Sequence, residues 1–177
     1  DVFLVSDGLK SLQDLALHHR KKLKIPVIGL TGSNGKTTTK ELMYAALSQR
    51  YRTYATRGNL NNHIGVPLSV LGIHKTKHEI AIIEMGANHQ EEIAELCEIA
   101  LPDFGVITNI GLAHLEGFGG EEGIYKGKKE LFDFINKTAG KVFVNADDAK
   151  VLKAANGLEK IQFGTEVSNH ISGNIIP

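Results

Sequence analysis

Apolar positions along the chain recur in two rhythms, one helical and one strand-like, and the two alternate. Leu9, Leu12, Ala16 and His19 fall at helical spacing, and basic residues gather at the end of that segment, where the helix dipole favours cations. A lead-in helix is therefore expected before Pro26. Val27–Thr31 is an apolar run of strand length that meets Gly32-Ser33-Asn34-Gly35, after which Leu42, Met43, Ala46 and Leu47 predict a helix over 36–49. A strand is expected at 52–55, then a polar loop through Asn59, Asn61 and Asn62, then a short helix with Pro67 at its first position. Ile80–Glu84 is an apolar run closed by a single carboxylate. Ile93, Leu96, Cys97 and Ala100 form an i, i+3, i+4, i+7 stripe, which assigns Cys97 to core packing. Strands at 104–108, 142–145 and 161–163, helices over 121–135 and 149–155, and a strand-like Ile175-Ile176 complete the pattern. Strands apolar throughout and alternating with helices predict an α/β fold, a mostly parallel sheet with helices on both faces.

Composition narrows what such a fold can do. The 177 residues, 42% hydrophobic and 23% charged, suit one globular core and exclude a disordered tail. Twenty Lys and Arg balance twenty Asp and Glu, so no basic field exists to attract nucleic acid or anionic lipid, and phosphate binding must be local. The single cysteine excludes an internal disulfide and a Cys-rich zinc site and fits a reducing compartment. No apolar run approaches the roughly 18 residues of a membrane span, and the N-terminus carries no signal-peptide pattern. A cytoplasmic location is expected. Asp1 at one end and Ile175-Ile176-Pro177 at the other read as cut ends of something longer.

Phosphate chemistry is written into Thr31-Gly32-Ser33-Asn34-Gly35-Lys36-Thr37-Thr38, which lies between a strand and a helix in the manner of a P-loop NTPase. Its glycines let backbone N–H groups converge on phosphate oxygens, Lys36 adds charge, and the Thr37 hydroxyl suits magnesium. A strict P-loop would carry glycine at position 30, where this chain has Leu30. The bland alternative is a tight turn into a helix. Glu84, at a strand end where ligands gather in parallel sheets, reads equally as a magnesium carboxylate or as a surface acid. His114 projects from the same edge, whereas the other seven histidines, among them His18, His19, His74 and His78, read as solvated. Lys128 shares its helix face with Ile124, Leu131 and Ile135, off the polar face of Glu122, Lys126, Lys129, Asp133 and Lys137. Its ammonium either points inward to an anion or a modification, or snorkels to the helix edge. Asn145 closes a strand and is placed to read a ligand, and Asp148 is a plausible N-cap.

Thr31–Glu41, Gly58-Asn-Leu-Asn-Asn-His-Ile-Gly-Val-Pro67, Glu84-Met-Gly-Ala-Asn-His89, Asn109-Ile-Gly-Leu-Ala-His-Leu-Glu-Gly-Phe-Gly119 and Asn145-Ala-Asp-Asp148 together resemble the central ATP-binding domain of the Mur ligases. Within that family the resemblance is to the members that join D-alanyl-D-alanine to UDP-N-acetylmuramoyl tripeptide. It implies residues 1–24 as the end of an interdomain linker and a lead-in helix, and 25–177 as the central domain, truncated at both ends. The N-terminal UDP-binding and C-terminal domains are then absent. The resemblance further implies that Gly32, Ser33, Asn34, Gly35, Lys36, Thr37, Thr38 and Asn145 contact ATP. Thr37, Glu84, His114 and a carbamylated Lys128 serve magnesium in the family pattern, and Asn61 and Asn62 face substrate. Lys36, Lys128 and His114 are the implied catalytic residues. Lys129 stands where a small residue is commoner. The implied reaction is ATP-dependent carboxylate-amine ligation through an acyl phosphate in peptidoglycan synthesis, by a monomer with no nucleic acid partner and no membrane span. The runners-up are a folylpolyglutamate synthetase-like ligase and an isolated ATP-binding module without turnover.

Overall fold

The computed structural model describes residues 4–113 and 115–173. Helix α1 (Gly8–Lys22) starts where the Asp7 carboxylate accepts from the Lys10 N–H at 2.9 Å and ends in His19, Arg20, Lys21 and Lys22. Strand β1 (Val27–Thr31) follows, then α2 (Lys36–Leu47), β2 (Thr53–Ala55), α3 (Gly65–Leu71), β3 (Ile80–Glu84), α4 (Glu92–Ala100) and β4 (Phe104–Ile107). The rest is α5 (Leu115–Phe118), α6 (Glu121–Lys137), β5 (Lys141–Asn145), α7 (Ala149–Ala154), β6 (Lys160–Gly164) and β7 (Ile171–Ser172).

The strands form one sheet in the order β2-β3-β1-β4-β5-β6-β7, every neighbouring pair parallel. Period-2 alternation assigns its residues to two cores. Val27, Ala81, Ile83 and Ile107 join the larger core beneath α1, α3, α4 and α6, while Ile28, Leu30, Ile82 and Val106 face Met43 and Leu47 of α2. The chain leaves β1 toward β2 on one side and returns from β3 to β4 on the other. The carboxyl ends of β3, β1 and β4 therefore border the crevice where open α/β sheets bind ligands. Leu30 sits opposite Glu84 and Thr31 opposite Ile107, which brings the glycine-rich loop and the carboxylate to one edge.

Several expected details shift. α3 begins at Gly65, with Pro67 third: the Asn62 Oδ1 accepts from the N–H groups of Ile64 and Gly65 at 3.1 and 2.9 Å and organises the turn earlier. Pro67 is still accommodated, because N–H groups of a first turn have no helical partner. The inward stripe of α2 is Lys40, Met43 and Leu47; Leu42 is 67% exposed and Ala46 also faces solvent. His19 is half-buried and its Nε2 lies 2.7 Å from the Ile73 carbonyl, so it is tied into the body rather than solvated. β4 stops at Ile107, and α5 and β7 are additional elements. Ile175-Ile176 and His114 lie outside the described residues. Cys97 is buried against Met85 with its thiol pushed up by burial, as its stripe predicts.

Candidate functional site

The loop from β1 into α2 is held by the loop that follows β4. Gly32 has φ 150° and lies so close to Thr108 that a Cβ would fall 1.9 Å from its Oγ1, so no other residue fits. Gly35 takes φ 74° as the residue preceding α2. The Ser33 Oγ donates to the Gly111 carbonyl at 2.9 Å and accepts from the Gly111 N–H at 3.0 Å. The Asn34 carbonyl accepts from Thr108 Oγ1 at 2.6 Å and Asn109 Nδ2 at 3.0 Å, and its N–H donates to Asn109 Oδ1 at 3.1 Å. The first backbone bond of α2 runs from the Thr39 N–H to the Gly35 carbonyl, which leaves the N–H groups of Lys36, Thr37 and Thr38 ahead of the helical ladder. The Lys36 Nζ folds back onto the carbonyls of Gly32 and Ser33 at 2.7 and 3.3 Å. Burial lowers its pKa and the Glu84 carboxylate opposes that shift. Leu30, in place of a glycine, is fully buried within the sheet, so the turn begins only at Gly32.

Glu84 is 1% exposed at the end of β3. Its Oε1 accepts from Asn61 Nδ2 at 2.8 Å, the Thr37 Oγ1 lies 3.3 and 3.2 Å from its two oxygens, and its own N–H donates to Thr56 Oγ1 at 3.0 Å. The Lys40 Nζ stands 3.9 Å from Oε2. A buried carboxylate at the foot of an N–H-rich loop is a concentrated negative charge beside a phosphate-type cradle, a pairing that calls for a divalent cation between them. Lys128, from the middle of α6, lies among buried Ile124, Leu131 and Ile135, so its side chain is inward. Its Nζ donates to the Ala87 carbonyl at 3.4 Å and sits 4.9 Å from the centre of the Phe118 ring. Burial first, and the Lys36 charge second, lower its pKa to about 8. Ala87 also lines a cavity of about 580 Å³ beside Lys36, Asn61, Asn62, Gly86 and Glu92.

The family profile described as Mur ligase middle domain matches residues 30–176. This chain belongs to the Mur ligase family. It is 42% identical over 168 residues to the UDP-N-acetylmuramoyl-tripeptide–D-alanyl-D-alanine ligase of Bacillus subtilis, a match covering 95% of this chain and 36% of the relative. Its fold superposes on MurF from Acinetobacter baumannii with a TM-score of 0.83 at 41% identity, covering 92% of this chain and 36% of that one. The MurF ligase of Thermotoga maritima in complex with ADP gives 0.83 at 38% identity, covering 93% and 38%. The chain spans about a third of the length of the curated relatives it matches.

In this Mur ligase domain the expected residues divide into two groups. Thr37, Asn61 and Glu84 meet at one point, and Lys36 stands near enough to feel the Glu84 charge while resting on the carbonyls of Gly32 and Ser33, with Asn34, Gly35 and Thr38 in the same loop and helix start. Asn62 lines the neighbouring cavity while its Oδ1 organises the start of α3, and the Asn145 Oδ1 accepts from the Asp147 N–H at 3.0 Å in a turn two strands from β1. Asp148 caps α7, its Oδ1 accepting from Lys150 and Val151. Thr56 and Thr108 join the site without a sequence signal, and Lys40 lay within the Thr31–Glu41 motif with nothing in its spacing to mark it as buried. Asn109 lay within a motif shared with the family and acquires its role only from its contacts with Asn34. Among the described residues no helix is long and apolar enough to cross a membrane.

Proposed function

We propose that this chain is the ATP- and magnesium-handling domain of a ligase that joins D-alanyl-D-alanine to UDP-N-acetylmuramoyl tripeptide. The observation that carries this reading is the meeting of the Thr37 hydroxyl, the Asn61 amide and the buried Glu84 carboxylate at the head of the glycine-rich loop. One carboxylate and one hydroxyl suit magnesium, which keeps water and phosphate oxygens as most of its ligands. Thr37 and Glu84 would hold it, and when bound it offsets charge on the transferring phosphoryl group.

The remaining work falls to the chain itself. The N–H groups of Lys36, Thr37 and Thr38 face phosphate oxygens, and the Lys36 ammonium moves from loop carbonyls to the β- and γ-phosphates. The terminal carboxylate of the tripeptide attacks the γ-phosphorus, the bond to ADP breaks, and an acyl phosphate results. The amine of D-alanyl-D-alanine then attacks the acyl carbon, loses a proton and expels inorganic phosphate. The cavity beside Lys36, Asn61 and Ala87 is large enough to align the carboxylate with the phosphate, so orientation supplies much of the rate. Lys128 fits carbamylation, because a lysine with pKa near 8 holds a substantial neutral fraction able to add to carbon dioxide, and the product carries a carboxylate-like charge toward the same cavity wall. His114, outside the described residues, is proposed to serve magnesium together with the carbamylated Lys128. Asn145 is proposed to contact ATP, and Asn62 to face substrate. Residues 25–177 form the central domain in this reading, with 1–24 leading in, in a cytoplasmic monomer.

A folylpolyglutamate synthetase-like ligase would use the same phosphate loop; identity of 42% across 95% of the chain with a D-alanyl-D-alanine ligase favours the first reading. A chimera of the Bacillus subtilis ligase in which this chain replaces the matched third tests it. ADP should form only when both UDP-muramoyl tripeptide and D-alanyl-D-alanine are supplied. Turnover with a folate and glutamate instead would overturn the assignment.

A further inference from the structure

Lys40 is the only buried residue of α2, and it is a lysine. A lysine one turn into an exposed helix ordinarily carries its ammonium to water, yet both the residue and its Nζ are enclosed, and the Nζ has no hydrogen-bond partner among the described residues. Two carboxylates stand near it. Glu41 Oε1 is 3.0 Å away but off the line of a hydrogen bond, on a side chain 63% exposed, where water weakens the attraction. Glu84 Oε2 is 3.9 Å away on a side chain as buried as Lys40 itself, where the attraction is screened least. The Thr37 hydroxyl lies about equally near both oxygens of Glu84, 3.3 Å from Oε1 and 3.2 Å from Oε2; beyond that, Oε1 takes the Asn61 amide at 2.8 Å and Oε2 faces the Lys40 ammonium.

We propose that Lys40 is the resident counter-ion of Glu84, which holds the carboxylate charge in balance while no nucleotide is bound and so makes divalent-cation loading depend on the nucleotide phosphates. This rests on the reading of Glu84 as the magnesium carboxylate. A buried carboxylate without a countercharge is costly. With Lys40 present that charge is already compensated, and a free cation at Glu84 meets an ammonium a few ångströms away. With magnesium-nucleotide, the phosphates contribute enough negative charge for both cations to be accommodated. Lys40 in this role is a positioning residue: it shares a helix with Lys36 and Thr37 and acts through Glu84, not on the phosphates.

The test compares Lys40→Met, Lys40→Arg, Glu84→Gln and the double variant Lys40→Met/Glu84→Gln in this chain. Melting temperature is read in EDTA and in millimolar magnesium without nucleotide, and free manganese binding is read by electron paramagnetic resonance. Lys40→Met should bind free manganese about tenfold or more tightly than wild type and should regain in magnesium most of the stability it loses in EDTA. Lys40→Arg should behave like wild type, and adding Glu84→Gln should restore the stability of Lys40→Met without metal, a coupling that packing alone would not produce. Equal destabilisation of Lys40→Met with and without magnesium, with additive effects in the double variant, would overturn the proposal. If Lys40→Met proves too unstable to measure, a stable double variant supports the pairing and an equally unstable one overturns it. Magnesium-ATP binding by wild type, lost in Glu84→Gln, tests the underlying reading separately: its failure sinks the assignment of Glu84, whereas its success beside an unresponsive Lys40→Met sinks the counter-ion alone.

Discussion

Buried cations at the two edges of the sheet are treated in opposite ways. At the amino edge, Arg20 of α1 is buried with its donors engaged: Nε to the Ala100 carbonyl at 2.7 Å, one terminal nitrogen to Leu23 at 3.2 Å, and the other to Leu101 at 2.7 Å and Asp103 at 3.0 Å. Asp103 Oδ2 also takes the Val27 N–H at 2.8 Å, so one guanidinium ties α1, the end of α4 and the starts of β1 and β4 together. A cavity of about 640 Å³ opens beside this clamp, in which the Arg20 and Asp103 charges are paired with each other. At the carboxyl edge, the Lys40 Nζ lacks a hydrogen bond among the described residues, the Lys128 Nζ makes one long contact, and the half-buried Lys36 rests its Nζ on carbonyls of its own loop. A saturated buried cation fixes architecture. An unsaturated one keeps capacity for an anion, and the size of a cavity does not distinguish the two.

Opposite substitutions at the two edges should have opposite effects. Lys36→Ala should lower the affinity for magnesium-ATP about 100-fold, from the roughly 3 kcal/mol that truncating one partner of a close charge pair costs, while leaving the urea midpoint nearly unchanged. Calorimetric titration beside urea unfolding checks both halves, and unchanged affinity would mean that the loop is a plain turn. Arg20→Met should do the reverse: a stability loss of about 3 kcal/mol, because several buried carbonyls lose their donor, with magnesium-ATP affinity intact. Lys128 sharpens the contrast through pH. Its folded pKa near 8 lies below the ordinary 10.5, so below pH 8 the folded chain carries the full cost of a buried ammonium. Between those values the unfolded chain keeps a proton that the folded one has released, and stability rises with pH. Denaturation at pH 7, 8.5 and 10 should show that rise in wild type and a flatter profile in Lys128→Met; equal slopes would place the ammonium in water. In the ligase chimera, Lys128→Ala should lose activity that short carboxylic acids partly restore. The smallest effect belongs to Asp148→Ala, about 1 kcal/mol from a lost N-cap, with no change in nucleotide binding.

Much of this was legible from periodicity. The parallel α/β class followed from apolar strands between amphipathic helices, and the inward face of Lys128 from its spacing with Ile124, Leu131 and Ile135. Pattern failed where a polar residue occupies an inward position. The pattern that predicts α2 runs through Leu42, Met43, Ala46 and Leu47, of which only Met43 and Leu47 turn inward, because a hydrophobicity count cannot register Lys40 as the residue that completes their stripe. Arg20 was hidden for the same reason: a basic residue in a last turn satisfies the helix dipole, and its second role depends on carbonyls about 80 positions away.

The order of residues alone therefore determined the alternation of elements, the left-handed glycine at the mouth of α2 and the inventory of phosphate-binding groups, all of them local properties of spacing and backbone freedom. The tertiary structure decided which of those groups act together. Thr37, Asn61 and Glu84 are 24 and 23 positions apart along the chain, and they meet only because the sheet order sets β3 beside β1 with Leu30 opposite Glu84. The same long-range pairing decides which buried charges are saturated, because the partners that saturate them come from distant segments.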